Sequence, residues 1–185
     1  TFRYRPNSLK KICNSVGAND RVTDFFEGIW PIPEGIAYNS YLIDDHSTVL
    51  VDTVSSRTFG DHYDKIRRLI GDGKAIDYLI INHMEPDHTG SVDRLRELFS
   101  DMKIVGTGKM ADYLQELYGI TKGVVKVEDG DELDIGSRSL QFYVTPMLHW
   151  PETMMTYDPA GAILFPGDAF GTFGALDGGI FDDEV

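Results

Sequence analysis

The sequence predicts an α/β chain with strands at both ends and helices between them, forming two sheets or one large mixed sheet covered by helices. Three observations carry this. Apolar residues alternate or run unbroken over 36–43, 48–51, 76–81 and 139–144. Three intervening segments repeat apolar residues at helical spacing. No repeat, linker or low-complexity tract divides the chain, so its 185 residues are read as one domain, 1–185, with ample material for a core.

Composition narrows the function. Hydrophobic residues make up 42% and charged residues 25%, an ordinary globular balance. A formal net charge of −13 argues against nucleic acid or an anionic membrane surface as partner. The single cysteine, Cys13, excludes a disulfide within the chain and is read as a small packed residue rather than a nucleophile. No window approaches eighteen apolar residues, and the start, Thr1-Phe2-Arg3-Tyr4-Arg5, lacks the apolar core of a signal peptide. The default location is therefore the cytoplasm.

In chain order, 36–43 and 48–51 read as strands around a solvated turn at Asp44-Asp45. A helix is expected over 61–70, with Tyr63, Ile66, Leu69 and Ile70 on one face and Gly71 at its end. The strand 76–81 follows. The next helix carries Val92, Leu95, Leu98 and Phe99, with Thr89 or Ser91 available as a cap. A short strand at 103–105 precedes a helix over 109–118, whose apolar face is Met110, Tyr113, Leu114, Leu117 and Tyr118. From Val124 the pattern returns to strands: Leu140, Phe142 and Val144 alternate with Ser139, Gln141 and Tyr143, and 154–157 and 162–165 are two more. The stretch 171–179 holds four glycines without the spacing of a dinucleotide loop.

The most informative residues are His83-Met84-Glu85-Pro86-Asp87-His88, directly after the apolar run Tyr78-Leu79-Ile80-Ile81. A strand end followed by a Pro-containing loop can aim His83, Glu85 and Asp87 into one cavity, and imidazole with carboxylate suits zinc, iron or manganese. Taken alone, the run could be a polar loop with a capping Asp. Two later segments repeat the arrangement: His149 follows the strand ending at Val144, and Asp168 follows the strand ending at Phe165, after Pro166-Gly167. Each is an ordinary residue by itself. Together they suggest three strand ends converging on one sheet edge as a metal site. His46 and His62 are read as solvated.

These residues also resemble a family. The chain is similar to the metallo-β-lactamase-like domain of flavodiiron proteins, the oxygen and nitric oxide reductases. The likeness is carried by Val16-Gly17-Ala18-Asn19-Asp20-Arg21, Trp30-Pro31-Ile32-Pro33, Tyr38-Asn39-Ser40-Tyr41-Leu42-Ile43, the HMEPDHTGS run, His149-Trp150-Pro151-Glu152 and Gly167-Asp168-Ala169-Phe170-Gly171. Most zinc hydrolases of that superfamily carry His where this chain has Glu85, and the replacement marks the diiron branch. Three carboxylates also compensate two irons better than they suit zinc.

The resemblance implies an αββα sandwich, incomplete at its C-terminus, and two iron ions. His83, Glu85 and His149 would bind one iron, Asp87 the other, and Asp168 would bridge them. His88, a zinc ligand in the hydrolases, would lie behind these ligands. It further implies reduction of O2 to water or of NO to N2O with electrons from FMN, and a head-to-tail homodimer or a homotetramer. The electron donor would be rubredoxin or a flavin- or F420-type partner. No His follows His149 to supply the family's sixth ligand, and no flavodoxin-like FMN segment is present, so the simplest expectation is a fragment that binds metal incompletely. Phe26, Trp30 and Trp150 are candidates for the pocket lining. Competing expectations are a metal-dependent hydrolase and a scaffold domain that has lost catalysis.

Overall fold

Strands that are apolar at successive positions need cover on both faces, and here helices supply it on one side and a second sheet on the other. The computed structural model describes residues 12–177. The start read for a signal peptide and the last two residues of the glycine-rich stretch lie outside them. The chain runs β1 (Cys13–Ser15), β2 (Ala18–Asp20), β3 (Phe25–Phe26), β4 (Trp30–Pro31), β5 (Ile36–Tyr38), β6 (Tyr41–Asp44), β7 (Thr48–Val51), α1 (Phe59–Ile70), β8 (Tyr78–Ile80), α2 (Pro86–Thr89), α3 (Val92–Leu98), β9 (Lys103–Thr107), α4 (Gly108–Tyr118), β10 (Val124–Val127), β11 (Glu132–Asp134), β12 (Ser139–Val144), β13 (Met154–Asp158) and β14 (Ile163–Phe165).

Six strands form a mixed sheet in the order β1-β6-β7-β8-β9-β10, with β7 to β10 parallel. Four more, β11-β12-β13-β14, form an antiparallel sheet. Alternation along the central strands divides the core. Leu42, Leu50, Leu79 and Ile104 pack with Ile66, Leu95 and Leu114 of α1, α3 and α4. Ile43, Val49, Val51, Ile80 and Val105 pack with Leu140, Phe142, Met154 and Phe165 of the second sheet. Tyr143 and Leu164, on the opposite side of the second sheet, are exposed. The described residues thus supply three layers of the αββα sandwich: helices, sheet, sheet. No helix among them is long and apolar enough to cross a membrane.

Several expectations change. The run 36–43 is two strands, because β5 pairs with β2 in a separate ribbon while β6 joins the large sheet. Buried Ser40 breaks the run: its Oγ donates to the Asp52 carbonyl at 2.9 Å, and its carbonyl accepts from Val16 N. Gly17 permits this crossing, since a Cβ there would lie 2.2 Å from the Tyr38 carbonyl oxygen. Neither Thr89 nor Ser91 caps α3 with its side chain; Ser91 Oγ donates instead to the Val54 carbonyl at 2.9 Å. The turn at Asp44-Asp45 is tied down rather than solvated: Asp45 accepts from Ser137 N and Oγ, and Asp44 pairs with Lys74. Cys13 is buried between the sheets, and burial, then the charge of Asp158, pushes its thiol up to about 12, which keeps it protonated and inert.

His46 is exposed, but His62 is fully buried in α1, with Nε2 3.1 Å from Ser40 Oγ. Burial, helped by the charge of Lys65 against that of Asp61, lowers its pKa from 6.5 to about 4. The unfolded chain therefore binds more protons than the folded one between pH 6.5 and 4, so stability is full above 6.5 and falls as pH drops through that window. The expected loss approaches roughly 3 kcal/mol at about 1.4 kcal/mol per unit. Denaturant unfolding of the metal-free chain and of His62→Gln at pH 7 and 4.5 checks this; parallel losses in both would contradict it.

Candidate metal centre

The site sits where the two sheets meet, at the ends of β8, β12 and β14. The sequence led us to expect one sheet edge, but His83 comes from the six-stranded sheet and His149 and Asp168 from the four-stranded one. Asn82 joins the two: its backbone N–H donates to Asp52 Oδ1 at 2.8 Å, Nδ2 to the Phe165 carbonyl at 3.3 Å, and Oδ1 accepts from Thr156 Oγ1 at 2.7 Å. The sequence between Glu85 and Gly90, read as a loop, is the single turn α2. Pro86 opens it, where its fixed φ and missing N–H cost nothing. Thr53 holds that turn against the end of β7 by donating twice, from N and Oγ1, to the His88 carbonyl at 2.8 and 2.7 Å.

All five residues predicted as ligands meet here, and His88 joins them. His83, Glu85, His149 and Asp168 each place one ligand-type atom within 4.8 Å of the others. Asp87, His88 and Asp168 do the same in a second group. Asp168 belongs to both. Its Oδ1 lies 2.6 Å from His88 Nε2, while its Oδ2 lies 3.5 Å from His149 Nε2 and 3.8 Å from His83 Nε2. Glu85 Oε2 is 3.0 Å from His83 Nε2 and 3.3 Å from His149 Nε2. His83 and His88 are buried, whereas the His149 side chain is 44% exposed and forms the open side.

The electrostatics suit cations. Burial alone would lower the His83 pKa, but hydrogen bonds to Glu152 and Glu85 outweigh it and raise it to about 9. His88 is likewise raised, against burial, by Asp168 and Asp52. Without metal, these imidazoles hold protons to balance the carboxylates. Asp87, raised to about 6 chiefly by burial, has a buried Oδ1 with no hydrogen-bond partner among the described residues. An unmet carboxylate oxygen beside buried imidazoles is what divalent metals would satisfy, and three imidazoles with three carboxylates form a suitable donor set.

Two further residues were not singled out from the sequence. Glu152 accepts from His83 Nδ1 at 2.8 Å, leaving Nε2 to face the cluster. Asp52 lies 3.4 Å from His88 Nδ1 with a left-handed φ of 53°, and follows β7 just as His83 follows β8. The strand-end rule applied to His83 would have found Asp52; Glu152 stood in the His149-Trp150-Pro151-Glu152 run that carries the family likeness, but no role was read for it. Of the expected lining residues, Trp150 sets its ring edge-on to His83 at 5.0 Å, Phe26 packs on Phe173 at 5.3 Å, and Trp30 is 58% exposed.

Comparison with known proteins places these residues in context. Residues 36–182 match the family model described as ODP family beta lactamase. A nitric oxide reductase of Moorella thermoacetica is 40% identical over 172 residues, covering 92% of this chain and 43% of that protein. The crystal structure of the flavodiiron protein from Giardia intestinalis superposes with a TM-score of 0.84 at 33% identity, covering 95% of this chain and 43% of the other. Rubredoxin oxygen:oxidoreductase from Desulfovibrio gigas gives 0.84 at 34%, covering 90% and 41%. The chain therefore spans about two fifths of the length of these relatives.

Proposed function

Since the chain belongs to the ODP family of β-lactamase-like domains, we propose that it forms the binuclear iron site of an oxidoreductase that reduces O2 or NO. One observation carries the reading: Asp168 offers one oxygen to each of two ligand groups. His83, Glu85 and His149 would hold the first iron, Asp87 and His88 the second, and Asp168 both. The inward pose of His88 supports counting it among the ligands, although the sequence reading set it behind them. Hard oxygens from Glu85, Asp87 and Asp168 favour iron over zinc. When bound, the irons would supply electrons to O2 or to NO, yielding water or N2O.

The chain's own residues prepare that chemistry. Glu152 holds the Nδ1 proton of His83 and so leaves Nε2 free to bind. A pocket of about 10 Å³ beside His83 and Asp168, lined partly by Leu148, Met154 and Ala169, is nearer the size of one small molecule than of a bulky ester. FMN carried outside this chain, a rubredoxin-type or flavin- or F420-type donor, and head-to-tail pairing of subunits go with the reading. The test is anaerobic reconstitution of the full-length gene product with iron and zinc offered together, followed by metal analysis and gas-consumption assays. Two irons per chain with O2 or NO consumption are expected. The inward His88 nitrogen favours one second reading, a zinc hydrolase; two zincs, no iron and ester or amide cleavage would establish it instead.

A further inference from the structure

One acid joins the ligand-bearing loops without belonging to either ligand group. Glu152 is 1% exposed. Its Oε1 accepts from His83 Nδ1 at 2.8 Å and from the backbone N–H of Met84 at 2.9 Å. Its carbonyl accepts from Oγ1 of Thr107 at 3.0 Å, and the same hydroxyl caps α4 by accepting from Met110 N. Its other oxygen, Oε2, is buried with no hydrogen-bond partner among the described residues.

Fixing a histidine tautomer needs only an acceptor, and a backbone carbonyl serves that purpose elsewhere. Here a full negative charge is buried for the task, with one oxygen doubly held and the other unmet, an arrangement that costs stability. The charge therefore has an effect beyond tautomer control. A carboxylate hydrogen-bonded to a ligating imidazole makes that imidazole more basic and favours the more highly charged metal.

Building on the iron reading above, we infer that Glu152 is a positioning residue with an electrostatic role. It holds His83 as the Nδ1–H tautomer and biases the iron bound at His83 Nε2 toward its ferric state. Glu152→Gln keeps the size and an accepting oxygen but removes the charge. In the iron-loaded full-length protein, poised with redox mediators and read by electron paramagnetic resonance, this variant is expected to shift the ferric-to-ferrous ratio at least tenfold toward ferrous. That corresponds to about 59 mV in a one-electron couple. An unmoved couple with iron retained overturns the electrostatic role, since a merely structural residue would leave the potential alone. Should Glu152→Gln release iron, Glu152→Asp, which keeps the charge, must retain it; an Asp variant that also releases iron overturns the charge claim.

The positioning half is read by nitrogen-15 histidine resonances on the iron-free chain at a pH above about 9, where the His83 imidazole is neutral and its tautomer is defined. The His83 Nδ1–H signal is expected in the parent and in Glu152→Gln, and lost in Glu152→Ala. An unchanged tautomer in Glu152→Ala overturns it. A parent protein that takes up no iron would defeat the iron reading, yet this iron-free measurement would still judge the tautomer claim.

Discussion

Replacing Asp168 by Ala is expected to remove both metals rather than one. Its two oxygens face different groups, Oδ1 toward His88 and Oδ2 toward His149 and His83, so one truncation takes an anionic donor from each. Losing a residue that merely supports a ligand costs about 10- to 100-fold in metal affinity. A shared ligand should cost more than about 100-fold at both positions, roughly 3 kcal/mol each at about 1.4 kcal/mol per tenfold. Glu85→Ala should weaken the first position alone, and Asp87→Ala the second. Metal-to-protein ratios after desalting, with calorimetric titration of the metal-free variants, separate the three patterns. An Asp168→Ala protein that keeps two metals would show that the carboxylate is not shared.

Gly90→Ala is expected to damage fold and site together. Gly90 has an ordinary helical φ, so the constraint is space rather than conformation. A Cβ there would meet the Pro86 carbonyl oxygen at 2.5 Å and the Ser56 amide nitrogen at 2.9 Å, both backbone atoms that cannot rotate away. Relief requires α2 to move off the segment after β7, and α2 carries Asp87 and His88. Overpacking of this kind costs about 1–3 kcal/mol, or roughly 2–4 °C in Tm for each kcal/mol in a chain this size. Calorimetry and metal analysis should therefore show a lower Tm and a greater loss of metal from the Asp87 position than from the His83 position. A melting point equal to the parent's would mean the close approach is not tight in solution.

What could be read from the sequence follows from how local each signal is. Helical periodicity located α4 to within one residue, with Thr107 confirming the start as its cap. Period-two alternation identified β12, where Leu140 and Phe142 are fully buried and Tyr143 is 44% exposed. The strand-end rule brought His83, Glu85, Asp87, His149 and Asp168 forward, and all of them meet. Features decided by distant partners were not legible. Ser40 divides β5 from β6 through bonds to Val16 and Asp52. His62 is buried because α1 lays it over Ser40, which its place near a helix start did not reveal. Glu152 gains its importance from a contact 69 positions away, and no local pattern encodes that.

The seam between the sheets has a consequence for how the protein melts. His83, Glu85 and Asp87 stand on one slab and His149 and Asp168 on the other, so cations held in the two ligand groups would rivet the slabs together. Occupancy at a hundredfold excess over Kd adds about 2.7 kcal/mol of resistance to unfolding. On the metal reading proposed above, copies without cations would lack that tie across the join, and the metal-free chain should melt at a lower temperature than the loaded one.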